Sequence, residues 1–145
     1  MSFEFKVVTP EGTTYQDNIK KVSVPTTGGD IVVLEGHGQL VSTLGSGELT
    51  ITKQDDHDVS LAVTGGVLEV RATGEVYILA DNAERAEDID LDRAKKARDR
   101  AEELLKQQEN IADVDFARMQ AMINRETTRI NVGNKYRRWI SPKAG

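Results

Sequence analysis

The feature that most constrains this chain is a change of hydrophobic period near residue 87. Before it, apolar residues come in short alternating runs; after it they recur at intervals of three and four. Alternation is the period of a half-buried strand, whereas three-and-four spacing marks one face of a helix. Two parts are therefore expected, a β part and then a helical one. With 145 residues there is room for a compact domain of about 85 to 90 residues and an appendage.

In the first part, candidate strands fall at 3–9, 19–24, 30–34, 40–44, 48–52, 59–63, 67–71 and 76–80, with one or two short extras near Tyr15. Turn-forming residues separate them at 10–12, 26–29, 36–38, 45–47, 55–58, 65–66 and 73–74. Strands at this spacing with no long helix between them predict a sandwich or flattened barrel of about ten short antiparallel strands over residues 1–87.

After Asp88 the composition turns to Ala, Leu, Arg, Lys, Glu and Gln, and a helix is expected over 91–108. Ala94, Ala97, Ala101, Leu104 and Gln108 lie at the spacing of a seam against one partner helix. A second helix opens after Asp113 or Asp115, either of which suits a cap, with Phe116, Met119, Ile123 and Ile130 as its stripe. The short link makes the pair an antiparallel hairpin over 88–132. Because much of the first stripe is alanine, the hairpin buries little apolar area and should reopen easily. Residues 133–145 read as a basic tail, with Lys135, Arg137, Arg138 and Lys143 around Tyr136 and Trp139. Such a tail is either a solvated end or a contact for an anionic lipid surface or an acidic groove.

Composition removes several classes of function. No apolar run approaches the roughly 20 residues of a membrane span. The first dozen residues look like neither a secretion signal nor a transit peptide, which leads us to expect a bacterial protein. There are no cysteines and only two histidines, so thiolate or histidine-built metal sites are not expected. A net charge of -5 argues against general nucleic-acid binding. No phosphate-binding loop or paired nucleophile and base is present. Asp30, Glu35 and His37 would be the residues of an enzymatic cleft, but they lack such a pairing.

Several motifs occur in a fixed order. Val24-Pro25-Thr26 is followed by Gly29-Asp30, then Gly36-His37 with Leu40, then Leu44 and Gly47. A sharper block, Thr64-Gly65-Gly66-Val67-Leu68-Glu69-Val70, precedes Val76, Leu79-Ala80-Asp81 and Ala83-Glu84. Ile89-Asp90-Leu91-Asp92-Arg93-Ala94 then opens the helical part. Together they resemble the epsilon subunit family of bacterial F-type, proton-translocating ATP synthases, over almost the whole chain. Two departures stand out. Val32 occupies a place where many members have glycine, and Gly38-Gln39 replaces the Ala-Pro of their Gly-His-Ala-Pro loop, freeing a backbone angle and restoring a donor.

The resemblance implies a non-catalytic rotor subunit that clamps the gamma subunit, touches the c-ring and meets the alpha and beta subunits when its hairpin extends. It would sit on the cytoplasmic face of a bacterial plasma membrane as part of the synthase. The extended hairpin would inhibit ATP hydrolysis. Asp30 and His37 would lie at the end of the sandwich that meets the ring, although a turn or packing role suits His37 equally.

Asp90 is an ordinary helix cap by type and position. Arg93 and Arg100 share one side of the first helix, and Arg125 and Arg129 one side of the second. An antiparallel fold gathers these four guanidinium groups at one edge, where Glu84, Asp90 and Glu126 could offset part of the charge and a polyphosphate more of it. The Ile89-Asp90-x-x-Arg93-Ala94 pattern resembles the one at the start of the hairpin in nucleotide-binding bacterial members, although the motif by itself does not fix the affinity. The resemblance thus implies a regulatory ATP site with Glu84, Ile89 and Asp90 around the adenosine and Arg93, Arg100, Arg125 and Arg129 toward the phosphates, and no obligatory cofactor. The competing reading is a free-standing small-ligand-binding sandwich with a helical oligomerisation hairpin.

Overall fold

The computed structural model describes residues 1–107 and 112–140, leaving aside the side chains of 139 and 140. It divides into two compact units, Met1–Arg85 and Ala86–Gly145.

The first unit has seven strands: β1 Phe3–Thr9, β2 Gly12–Thr26, β3 Gly29–Leu34, β4 Leu40–Thr43, β5 Gly47–Lys53, β6 Asp58–Val70 and β7 Val76–Arg85. Neighbours run β1-β7-β6-β5-β2, and a further β1–β2 pairing closes this path into a ring. β3 adds to β2, and β4 to the second half of β6. All pairings are antiparallel except β1 with β7, which is parallel. The fold is the expected β-sandwich, but with fewer and longer strands than the ten short ones expected. β2 runs 15 residues through Tyr15, and β6 runs 13 residues through the glycine pair. A long strand can pair with different neighbours along its two halves, which is how five strands close the ring while β3 and β4 still find partners.

Alternation places the core as expected. Phe3, Phe5 and Val7 on β1 are buried, as are Leu49 and Ile51 on β5 and Ile78 and Ala80 on β7. Enclosing a large apolar side chain contributes about 1.5 to 3 kcal/mol, so this cluster dominates the stability of the unit.

The glycine pair is neither turn nor bulge. β6 and β7 keep one register from Leu61↔Arg85 to Val70↔Val76 across it. Both glycines have positive φ, 68° and 119°. A side chain on Gly66 would collide with the Leu79 carbonyl oxygen, and one on Gly65 with the Asp81 carboxylate. Glycine is needed there because the two strands pass so closely.

In the second unit, a 3-10 turn, Ala86–Asp88, leads to α1 Leu91–Gln107 and α2 Asp113–Ile140. Gly133, late in α2, lies against Leu91 and Ile89 at the start of α1, so the helices run antiparallel. The seam differs from the expected one. On α1 the buried and half-buried positions are Leu91, Ala94, Ala97, Arg98, Ala101 and Leu105, so Ala94, Ala97 and Ala101 keep their expected places while Leu104 is exposed. The adjacent pair Leu104-Leu105 could serve either of two overlapping stripes, and Leu91 at the helix start fixes the choice. On α2 the stripe is Met119, Ile123, Glu126, Ile130 and Gly133, with Phe116 exposed. Neither Asp113 nor Asp115 caps α2: the Phe116 amide bonds the Ala112 carbonyl, placing both aspartates inside the first turn. Gln108 lies outside the described residues.

The basic segment does not begin as a separate tail at 133. α2 continues to Ile140, with Arg137 and Arg138 in its last turn, where cations favour the helix dipole. Gly133 lies inside this helix and lets the α1 start approach closely. Lys143 lies outside the described residues, as does the Trp139 side chain.

Candidate functional site

The start of α1 accounts for most of the Ile89-Asp90-x-x-Arg93-Ala94 pattern. Asp90 is the N-cap: its Oδ1 accepts from the Arg93 amide at 3.1 Å, and its carbonyl from the Ala94 amide at 3.0 Å. Ile89 and Ala94, both buried, occupy the two positions of a hydrophobic staple around that cap. The Arg93 side chain is exposed, as is Arg100, and neither makes an ion pair among the described residues.

The helix-two arginines are engaged. Glu126, 2% exposed, occupies the seam where an apolar residue is expected. Its Oε1 accepts from Arg125 Nε at 3.2 Å and lies at ion-pair distance from Arg125 Nη2, also 3.2 Å, and its Oε2 accepts from Arg129 Nη1 at 2.8 Å. Both carboxylate oxygens are thus used by guanidinium groups flanking Glu126 in sequence. Counted back from the Leu91–Gly133 contact at equal rise, Arg98 stands level with Glu126 on the opposite helix. Its guanidinium bonds Asp99 Oδ1 at 3.3 Å. At about 100° per residue, Arg93 and Arg100 turn toward the same edge of the hairpin as Arg125 and Arg129, and within the same stretch of its length. This edge can receive an anion, with one carboxylate already in place.

The other expected residues lie in the first unit. Glu84 is on β7, paired with Ala62. Asp30 is in β3 opposite Pro25, not in a loop, and His37 follows the far end of that strand, its amide donating to the Leu34 carbonyl at 3.2 Å. β3 alone separates Asp30 from Leu34 by about 13 Å, so the two residues do not form one cluster. His37 Nδ1 lies 2.8 Å from the Gly38 carbonyl, a local turn contact. No group of three metal-ligating side chains occurs among the described residues.

One surface was missed in the sequence. Val41 on β4, Val67 on β6 and Leu79 on β7 share the outer face of the sheet, 72%, 37% and 49% exposed. Val67 pairs directly with Leu79, and Val41 with Glu69. Beside them Arg71 stacks 3.9 Å over Tyr77 and bonds Glu69 at 2.9 Å. The signal was legible as adjacent apolar pairs, Val67-Leu68 and Ile78-Leu79, which give one strand two apolar faces.

Residues 2–86 match the family model for the β-sandwich domain of the ATP synthase delta/epsilon chain, and residues 87–134 the model for its long α-helix domain. The chain belongs to the ATP synthase delta/epsilon chain family. This delta/epsilon chain is 41% identical over 131 residues to the ATP synthase epsilon chain of Halalkalibacterium halodurans, covering 89% of one and 95% of the other. Its fold resembles a chain in the Euglena gracilis mitochondrial ATP synthase, a structure of OSCP, F1 and c-ring (TM-score 0.72, 23% identity, 92% and 81% covered). It also resembles a chain in the central stalk and c-ring of the Tetrahymena thermophila mitochondrial enzyme (TM-score 0.61, 15% identity, 94% and 96% covered). The delta/epsilon chain is an accessory, non-catalytic subunit of the central stalk, peripheral in a membrane-associated complex.

Proposed function

We propose that the sandwich seats this subunit on the gamma subunit and the c-ring, and that the hairpin is a two-state element whose extended form meets the alpha and beta subunits and blocks ATP hydrolysis. The observation that carries the switching is the composition of the hairpin seam. Alanine at three α1 positions, glycine at one α2 position and a charged Glu126 at another leave little apolar area to hold the helices together. Such an element reopens at small cost. The exposed face of Val41, Val67 and Leu79 supports a partner on the sandwich, since apolar side chains clustered on one sheet face are a common basis of interfaces.

ATP is the regulatory ligand in this reading, held by the folded hairpin with Ile89 and Asp90 near the adenosine and Arg93, Arg100, Arg125 and Arg129 toward the phosphates. A ligand that binds one state alone shifts the balance by its own free energy, about 2.7 kcal/mol at 100 times its dissociation constant. For a seam this thin, that is enough to decide the population. The test is hydrolysis by the assembled synthase across ATP concentrations. Arg93→Ala and Arg100→Ala should leave the enzyme more inhibited at high ATP, and curves superimposable on the unsubstituted enzyme would refute nucleotide control. Leu79→Glu should abolish co-purification with the gamma subunit while the sandwich stays folded; retention of the complex would refute that seat.

A further inference from the structure

We propose that Glu126 is a built-in anion that competes with nucleotide phosphates for Arg125 and Arg129 and so sets how much nucleotide the hairpin needs. The inference rests on the ATP reading above and adds to it the residue that tunes the response.

The geometry is specific. Arg125 presents two donors, Nε and Nη2, to one carboxylate oxygen, and a guanidinium uses such an edge to grip a phosphate. Arg129 presents Nη1 to the other oxygen. An incoming phosphate must share these groups or displace the carboxylate. Displacement leaves a buried carboxylate short of partners, which is strongly unfavourable. Sharing places two anions on the same pair of cations. Either way, Glu126 opposes the ligand. Arg93 and Arg100, exposed and without ion pairs among the described residues, meet no such competitor. A nucleotide would therefore engage helix one first and gain the helix-two arginines only against Glu126. The same carboxylate holds the two arginines in place when no nucleotide is bound, so the folded hairpin does not face their mutual repulsion alone.

The experiment is calorimetric titration of the full chain with ATP and, separately, with tripolyphosphate. E126Q keeps the shape and one acceptor but removes the charge. It should bind ATP about tenfold or more tightly than the unsubstituted chain, the scale of one hydrogen bond to a charged group. E126D keeps the charge and should bind like the unsubstituted chain. Arg129→Ala added to E126Q should remove the gain. Should E126Q lose helicity by circular dichroism, E126M, which fills the seam with an apolar side chain of similar length, takes its place and carries the same expectation.

Equal ATP affinity in the neutral variant and the unsubstituted chain, with Arg93→Ala still abolishing binding, overturns the role of Glu126 and leaves the nucleotide site standing. Tripolyphosphate binding that appears only in the neutral variant, without ATP binding, upholds Glu126 as the competing anion and overturns the adenosine reading. Binding of neither ligand to any variant overturns both.

Discussion

Replacing Gly66 with alanine tests whether the glycine pair serves close approach of strands. Gly66 sits at φ 119°, and a Cβ there would overlap the Leu79 carbonyl oxygen while lying 2.8 Å from Ala80 Cα and 2.9 Å from the Leu79 carbonyl carbon. All three are backbone atoms of β7, which is paired with β6 on both sides of the site, at Thr64↔Asn82 and Val67↔Leu79. No rotamer change relieves such a contact. Backbone strain of about 1 to 3 kcal/mol adds to an overpacking cost of similar size, giving about 4 kcal/mol. That is a large share of the roughly 5 to 15 kcal/mol that stabilises an ordinary domain. With a urea slope of about 1.5 kcal/mol/M, the unfolding midpoint of Gly66→Ala should fall by about 2 to 3 M. The control is Gly38→Ala, where a Cβ meets nothing within 4 Å and φ is ordinary. There the stiffer unfolded chain should leave stability unchanged or raised by up to about 1 kcal/mol. Urea unfolding of both variants, followed by tyrosine fluorescence and circular dichroism, gives the comparison. A Gly66→Ala midpoint within about 0.3 M of the unsubstituted chain would refute the account, because it would mean that β7 moves aside freely.

Asp90→Ala should destabilise the hairpin by about 1 kcal/mol through loss of the cap, measured by thermal melting of helicity, whereas Asp90→Asn should be close to neutral. If Asp90 also touches adenosine, Asp90→Asn will weaken ATP binding in calorimetry without that loss of helicity. Burial foremost, then the Asp17 charge and its hydrogen bond at 3.3 Å, push the Tyr15 phenol up to about 12, with Arg85 pulling the other way. The folded state thus disfavours tyrosinate, so this contribution to stability is full below about pH 10 and is lost as pH rises toward 12. Alkaline unfolding should show that slope, and Tyr15→Phe should reduce it; an identical pH profile for Tyr15→Phe would contradict it.

The sequence alone determined the division of the chain. A period of two imposes a sheet with one buried face, and intervals of three and four impose helices, so the β-sandwich and the two-helix hairpin were legible from periodicity. Asp90 as a cap was legible too, because capping is local chemistry between a side chain and amides within one turn. What periodicity could not decide was which of two overlapping stripes forms the α1 seam, because Leu104 and Leu105 satisfy different ones and only the approach of Gly133 to Leu91 selects. Nor could it show that β6 passes unbroken through two glycines, since a turn and a close strand crossing need the same backbone freedom. The four arginines could be listed from spacing, yet their pairing could not. Glu126 lies next to Arg125 in sequence, as countless solvated glutamates lie next to arginines, and its burial between two guanidinium groups arises only when the second helix brings that face inward. Local propensity fixes what each segment forms; burial and partner choice depend on contacts between segments distant in sequence, and those only tertiary structure supplies.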